Sequence, residues 1–71
     1  MNRQAVRSTN LRSVGYDPAR RILEVEFVNG SIYQYYSVPE HEYRGLMQAS
    51  SHGSYFDHHI KKGPYSYAKI R

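Results

Sequence analysis

Apolar and polar residues alternate most regularly near the middle of the chain, where Leu23, Val25 and Phe27 are separated by two glutamates. This two-residue period is typical of a strand that buries one face. The pair Asn29-Gly30 follows, and both residue types readily adopt the left-handed conformations of a tight turn. The next six residues are rich in aromatic and β-branched side chains, which suit a strand. The pattern therefore predicts a β-hairpin.

The length of the hairpin loop decides which face its tyrosines occupy. A two-residue loop places Tyr33 opposite Glu26 and Tyr35 opposite Glu24. A three-residue loop, with Gly30 as a left-handed bulge residue, moves both tyrosines onto the apolar face, because a one-residue slip reverses every side chain. We favour the three-residue loop, since it groups five large apolar side chains on one face.

Weaker patterns on both sides of the hairpin extend the predicted sheet. Residues 11–36 read as a three-stranded antiparallel meander, in which a turn at Asp17 leads into the hairpin. Gly15 interrupts the first strand and suggests the close approach of another backbone. Residues 65–70 alternate again and predict a C-terminal edge strand, whereas residues 1–7 are polar and basic and are expected to be flexible.

Two helices are predicted between the hairpin and the final strand. Apolar residues recur every three or four positions in residues 39–49, with Ser37 as the expected N-cap. A second, shorter helix is expected to begin at Ser54 and to turn Phe56 and Ile60 inward. The predicted fold class is α+β: a three-stranded antiparallel meander with two short helices packed on one face and a C-terminal edge strand.

The composition indicates one small basic domain, assigned to residues 8–71. The chain has 71 residues and no cysteine, which excludes disulfides and thiolate metal sites. No apolar run reaches the length of a membrane helix and no signal-peptide core follows Met1, so we expect a soluble cytoplasmic protein without a membrane partner. The formal charge of +4 favours an anionic partner, nucleic acid first, and eight tyrosines can cover a thin core or line a contact surface.

Cationic side chains near both termini are the first candidates for contact with nucleic acid. If the C-terminal strand pairs with the first strand, Arg7, Arg12 and Lys69 converge with Lys61 and Lys62; otherwise these charges are scattered over a solvated surface. In the first arrangement they form one basic patch.

Tyrosines supply the other candidate contacts. Tyr65 and Tyr67 lie beside the C-terminal lysines and would form an aromatic and basic strip. Tyr33 and Tyr35 could stack on bases, although in the favoured register they cover the core instead. The candidate nucleic-acid-binding residues are Arg7, Arg12, Tyr33, Tyr35, Lys61, Lys62, Tyr65, Tyr67 and Lys69.

Residues that could support metal binding or catalysis are present but poorly arranged. The adjacent His58 and His59 point about 100° apart on a helix and do not converge on one ion. Ser51, His52 and Asp57 are the residue types of a catalytic triad, but closeness in sequence does not create its geometry. The two strand glutamates have the spacing of a carboxylate pair on a surface with little room for a cleft. We therefore expect no metal, no cofactor and no enzymatic activity.

Several segments together resemble the KTSC domain, a small bacterial domain named for the C-terminal extension of some lysyl-tRNA synthetases. The central Tyr33-Gln34-Tyr35 corresponds to the Tyr-x-Tyr signature of that family. The resemblance covers residues 8–70 and implies a link to tRNA through the synthetase context. The other matching segments are Ser8-Thr9-Asn10-Leu11, Val14-Gly15-Tyr16-Asp17, Leu23-Glu24-Val25-Glu26-Phe27, Gly30, Val38-Pro39, Leu46-Met47, Ser51-His52-Gly53-Ser54-Tyr55-Phe56 and Ile60.

The positive charge, the tyrosines and the resemblance together predict a small non-catalytic module that binds RNA through basic and tyrosine side chains. One candidate for that RNA is tRNA. The alternative is a protein–protein interaction or homodimerisation module. That module would use exposed Ile22, Ile32 and Tyr36, or a free sheet edge. The expected state is a monomer or a weak homodimer.

Overall fold

The computed structural model describes all 71 residues and contains one antiparallel sheet, in which each strand pairs with its neighbours in sequence. The α+β class is confirmed, but the sheet has five strands where the pattern predicted a three-stranded meander and one edge strand. The strands are β1 (Gln4–Ala5), β2 (Leu11–Asp17), β3 (Ile22–Phe27), β4 (Ile32–Tyr35) and β5 (Tyr67–Lys69).

The central hairpin has the favoured register. Val25 lies opposite Tyr33 and Leu23 lies opposite Tyr35, so the apolar residues of β3 and the tyrosines of β4 share one face. The three-residue loop closes with a hydrogen bond from the Phe27 amide to the Ser31 carbonyl, 2.8 Å long. Gly30 has φ of 92°, a left-handed conformation that costs other residues strain.

The N-terminal segment, expected to be flexible, instead contains β1, which pairs with β2 and places Gln4 opposite Val14. A Cβ atom on Gly15 would lie 2.5 Å from the Asn2 carbonyl oxygen. The close backbone approach suggested at Gly15 is therefore confirmed, and the approaching backbone is that of the N-terminal segment. The sequence pattern missed β1 because two residues are too few to show a period.

The last strand extends the meander beyond β4. Tyr67 pairs with Tyr35 and Lys69 pairs with Tyr33, so β5 and β1 form opposite edges of the sheet. The C-terminal strand does not pair with the first strand. The convergence of Arg7 with Lys69, which was expected only with that pairing, therefore does not occur. Antiparallel pairing with β4 also leaves the outer edge of β5 unpaired.

The helices lie where the apolar spacing predicted them, but their N-cap residues differ from the predicted ones. α1 (Glu40–Gln48) has Pro39 at its N-cap position, whereas Ser37 has φ of 57° and its side chain does not cap the helix. The second helix begins earlier than predicted: α2 (His52–Tyr55) is capped by Ser51, whose hydroxyl accepts a 3.2 Å hydrogen bond from the amide of Ser54. It continues directly into one π-helical segment.

In that π-helical segment, Phe56–Lys61, the side chains of Phe56 and Ile60 are buried in the core beside the sheet. The wider turn of a π-helix is rare and is often found at functional sites. The core is built from one face of the sheet and the facing sides of the helices, as predicted. It contains Leu11, Val14, Leu23, Val25, Tyr35, Val38, Leu46, Phe56 and Ile60.

The opposite sheet face carries a polar network centred on Glu24, whose residue is only 7% exposed. The Arg3 guanidinium forms an ion pair with Glu24, and Gln34 donates a 2.8 Å hydrogen bond to it. Burial alone would raise the pKa of Glu24, but the hydrogen bonds from Gln34 and Arg3 and the charge of Arg3 lower it. The nearly buried carboxylate of this face is thereby satisfied, and it lines a hollow of about 530 Å³.

This network also removes the exposed apolar patch expected for partner docking. Ile32 is buried, with 6% of its surface exposed, and Ile22 is half-buried. Tyr36 is half-buried too, and its hydroxyl donates to Gln34 at 3.2 Å. The three side chains expected to be exposed are therefore buried or half-buried.

Candidate nucleic-acid interface

A pocket of about 250 Å³ opens beside the hairpin turn, on the face of the sheet that carries the helices. Strands β3 and β4 supply its floor, the π-helical segment supplies one wall, and two loops supply its rim. The pocket is lined by Asn10, Phe27, Asn29, Ser31, Tyr33, Tyr35, Phe56, Asp57 and Lys61. We call it the aromatic pocket.

Three edge-to-face contacts join its four rings, and the two tyrosines stack on each other at 6.4 Å and 24°, which fixes the ring orientations. Phe27 meets Tyr33 at a centroid distance of 5.7 Å and an angle of 85°. Phe56 lies 5.4 Å from Phe27 and 5.5 Å from Tyr35, at angles of 73° and 77°. Edge-to-face contacts of this kind add about 0.5–1.5 kcal/mol beyond the buried area. The walls are therefore preformed.

Tyr35, one of the residues that line the pocket, carries a hydroxyl group. The residue is 5% exposed, its hydroxyl forms no side-chain hydrogen bond, and no side-chain polar atom of the protein is buried without a partner. It follows that this hydroxyl reaches accessible space. Burial, with the neighbouring Tyr33 and Tyr67, raises the pKa of Tyr35 to about 12, so the group remains a neutral donor at physiological pH.

Next to the pocket, β5 exposes an aromatic ring and a cation. Tyr67 is 62% exposed, yet its ring centroid lies 6.0 Å from that of Tyr33 and 5.5 Å from that of Tyr35. Lys69 pairs directly with Tyr33, and paired residues project from the same face of a sheet. We define Tyr33, Tyr35, Lys61, Tyr67 and Lys69 as the tyrosine surface.

The tyrosine surface therefore unites five of the nine candidate residues, and the other four lie elsewhere. Lys62 forms an ion pair with Asp57 at 3.3 Å. Arg12 lies in a bulge of β2 and donates a 3.0 Å hydrogen bond to the carbonyl of Val28. The predicted convergence of these cations into one patch with Arg7 is not observed, because β5 joins the other edge of the sheet.

Tyr65 does not share a strip with Tyr67, because it precedes β5 and turns towards α1. Its hydroxyl donates a 2.9 Å hydrogen bond to Glu42, which also accepts a 2.7 Å bond from Tyr55. Burial, followed by the bond to this carboxylate, raises the pKa of each tyrosine to about 12. Tyr65 thus anchors the C-terminal segment to the first helix.

Arg7 lines a second, wholly polar hollow of about 370 Å³. Its walls are residues 7–10 and residues 50–54, so two of the segments that carried the family resemblance meet there. Asn10 lines both this hollow and the aromatic pocket. The two cavities are therefore neighbours.

Six pocket residues were not predicted as contacts: Asn10, Phe27, Asn29, Ser31, Phe56 and Asp57. Both phenylalanines were correctly placed towards the core, where Phe56 is buried and Phe27 is half-buried. The three-residue loop register would have placed Phe27 next to the loop residues of the rim. Nothing local in the sequence brings Asn10 or Asp57 to the same place.

The histidines and the triad-like residues bond to different partners. His52 Nδ1 lies 2.8 Å from the Leu46 carbonyl, and Ser51 caps its own helix. His58 Nδ1 lies 2.9 Å from the Ser54 carbonyl, while the ring of His59 stacks on Tyr55 at 4.0 Å. No group of three or more His, Asp or Glu side chains is close enough to hold a metal ion.

This arrangement of a five-stranded sheet, a helical cover and a pocket at the Tyr-x-Tyr strand defines a small α+β domain. The sequence matches the KTSC domain over residues 7–67, and the chain belongs to that family. A crystal structure of a KTSC domain protein from Yersinia pestis superposes with a TM-score of 0.90 at 44% identity, covering 99% of this chain and 97% of that one.

Two relatives known by sequence differ in length. An uncharacterised protein from Stutzerimonas stutzeri is 44% identical over 70 residues, which is 99% of each chain. A lysine–tRNA ligase from a Nostoc species is 37% identical over 60 residues, which is 84% of this chain and 10% of the ligase. The domain is thus found both alone and within a much longer protein. None of the helices described above has the length and apolar character needed to cross a membrane.

Proposed function

We propose that this chain is a small non-catalytic module that binds single-stranded segments of RNA, tRNA included, through the tyrosine surface. The supporting observation is the position of Tyr67, a largely exposed ring held against Tyr33 and Tyr35 with Lys69 beside it. Aromatic rings that flank a cationic groove are how proteins bind single strands, with stacking of roughly 1–3 kcal/mol per base.

Charge supports the same surface. Lys61 and Lys69 are exposed, and neither forms an ion pair within the chain. The carboxylates of the opposite sheet face are engaged by cations, Glu24 by Arg3 and Glu26 by Arg71 at 3.7 Å. An RNA approaching the tyrosine surface therefore meets free lysines, while the acidic residues behind the sheet are largely neutralised.

The relative within a lysine–tRNA ligase supports RNA as the polymer. A domain attached to an enzyme that acts on tRNA is well placed to hold that substrate, and the segment there is 37% identical to this chain. We propose that this chain binds RNA in the same way as that segment would.

Binding of a fluorescent tRNA pool at about 50 mM and about 200 mM salt tests the proposal, because phosphate contacts release counterions and weaken steeply as salt rises. The informative variant is the double change Lys61→Gln and Lys69→Gln. Its control, Arg20→Gln with Arg44→Gln, removes the same charge from exposed positions outside the tyrosine surface. We expect the first variant to lose affinity and salt dependence and the control to retain most of both. Equal losses, or no binding by the wild type, would refute the proposal.

A second candidate function uses the unpaired edge of β5, where Tyr67 and Ile70 expose 62% and 52% of their surfaces. A partner strand, including that of a second copy, could pair with this edge. Such an apolar contact would respond little to salt, and a homodimer would appear as concentration-dependent sedimentation. A monomer at all concentrations would exclude the homodimer.

A further inference from the structure

We infer that the aromatic pocket takes one unpaired nucleobase of the bound RNA, an assignment that rests on the proposed function. Its juxtaposition of four fixed rings with a polar rim is the arrangement that a flat, edge-bonding ligand requires. The tyrosine surface would supply stacking and charge along the strand, and the pocket would hold one extruded base at its end.

The size of the pocket limits the ligand. At about 250 Å³ it is smaller than the roughly 300–1,000 Å³ of pockets that hold drug-sized molecules. A single base is flat and small enough for such a space, whereas a base pair is not. Extruding a base costs a few kcal/mol in a duplex and least in a single strand, so the geometry selects unpaired positions.

The rim offers hydrogen bonds of both kinds. The amide nitrogens of Asn10 and Asn29 can donate, and their oxygens, which already accept from Ser8 and Ser31, keep one lone pair each. Tyr35, which also lines the pocket, carries a further hydroxyl donor. A carboxylate only accepts, and the ion pair of Asp57 with Lys62 uses one oxygen, Oδ2, leaving Oδ1 free for a ligand. A base edge that presents N–H groups beside carbonyl oxygens matches this rim, and guanine presents two such donors to a carboxylate.

The charge around the pocket decides between two ligands that aromatic walls can hold. A quaternary ammonium also binds to such walls, through the electron-rich ring faces. The one acidic residue of the pocket, Asp57, is paired with Lys62, while Lys61 lines the pocket and Lys69 projects next to it on β5. The cations therefore outnumber the carboxylate, so a cationic ligand would be repelled and phosphates on either side of a base would be attracted. A nucleotide is the ligand that both the rings and the lysines favour.

Titration of the wild-type protein with each ribonucleoside 5′-monophosphate, against ribose 5-phosphate as a probe without a base, tests the pocket directly. The readout is the aromatic NMR signals of Phe27, Tyr33, Tyr35 and Phe56. We expect nucleotides to shift these signals, guanosine monophosphate at the lowest concentration, and ribose 5-phosphate to leave them unchanged. Equal responses to ribose 5-phosphate and the nucleotides would overturn the assignment.

A pocket-filling variant separates this assignment from RNA binding as such. Ser31→Leu places a larger side chain at the pocket, and Ser50→Leu adds the same bulk at an exposed serine outside it. We expect Ser31→Leu to bind a single-stranded oligonucleotide at least fivefold more weakly and Ser50→Leu to bind it like the wild type. Unchanged binding by a folded Ser31→Leu would refute the pocket and leave RNA binding standing.

Absence of oligonucleotide binding by the wild type at about 50 mM salt would refute both proposals at once. Thermal unfolding of both leucine variants shows whether they fold. If Ser31→Leu does not fold, the comparison of nucleotides with ribose 5-phosphate on the wild-type protein still decides the outcome.

Discussion

Tyr33 and Lys69 lie directly opposite each other in the pairing of β4 with β5. This pairing places a cation from the end of the chain beside the tyrosine signature in its middle. It also places Tyr67 over the row formed by Tyr33 and Tyr35, where the ring is held in place and remains largely exposed. The last strand therefore places an exposed ring and a cation beside part of the hydrophobic core.

Replacing the exposed ring should separate binding from stability. Because stacking contributes roughly 1–3 kcal/mol per base, Tyr67→Ala should weaken single-stranded RNA binding about fivefold or more. The free energy of unfolding should fall by about 1 kcal/mol, the scale of an aromatic contact. Tyr67→Phe keeps the ring and should bind almost like the wild type. Fluorescence anisotropy and urea unfolding measure the two effects, and equal affinities for all three proteins would contradict the role of the ring.

The ion pair of Arg3 with Glu24 should make the free energy of unfolding depend on pH in the acidic range. The pKa of Glu24 is lowered on folding, so the stabilisation is complete above the unfolded value of about 4.3 and is lost as pH falls through the folded value. Arg3→Ala should cost about 2 kcal/mol at neutral pH, because a buried carboxylate loses a charged donor. The difference from the wild type should shrink towards pH 3 in urea unfolding experiments. A difference independent of pH would contradict this role of the ion pair.

Three tyrosine hydroxyls should lose their protons only at unusually high pH. Burial and, for Tyr55 and Tyr65, the bond to Glu42 raise the pKa of these groups and of Tyr35 to about 12. The folded chain therefore holds protons that the unfolded chain releases near pH 10, so stability is full below that pH and declines as pH rises towards 12. Phenolate absorbance of the folded protein should show three tyrosines that titrate near pH 12. Glu42→Gln should lower the pKa of Tyr55 and Tyr65 by the part due to the carboxylate and leave the part due to burial.

The hairpin turn should tolerate few substitutions at Gly30. Its φ of 92° costs a residue with a Cβ atom about 1–2 kcal/mol. Gly30→Ala should therefore lower the midpoint of thermal unfolding. Gly30→Asn should lower it less, because asparagine adopts left-handed conformations more readily. Similar midpoints for the wild type and Gly30→Ala would show that the turn is not under this constraint.

The hairpin and its register could be predicted because the information is local. Gly30 fixes the loop, and Leu23, Val25 and Phe27 cannot reach the core unless Tyr33 and Tyr35 do as well. The apolar spacing of the helices is equally local. Physical reasoning from adjacent residues was therefore sufficient for the centre of the domain.

The edges of the sheet could not be predicted in the same way. A strand as short as β5 pairs with whichever strand the preceding segment brings it close to. That preceding segment is held by the hydrogen bond from Tyr65 to Glu42, two residues far apart in sequence. The ion pair of Arg3 with Glu24 is a similar long-range contact. Since the candidate site is assembled by β5, its position could be recognised only once the pairing was known.

The central claim is that RNA lies on the tyrosine surface, and chemical-shift mapping with a short single-stranded oligonucleotide tests it most directly. We expect the largest shifts on β4, β5 and the segment Phe56–Lys61, with little change around Arg3 and Glu24. Shifts concentrated on the polar face of the sheet, or no shifts at low salt, would contradict it.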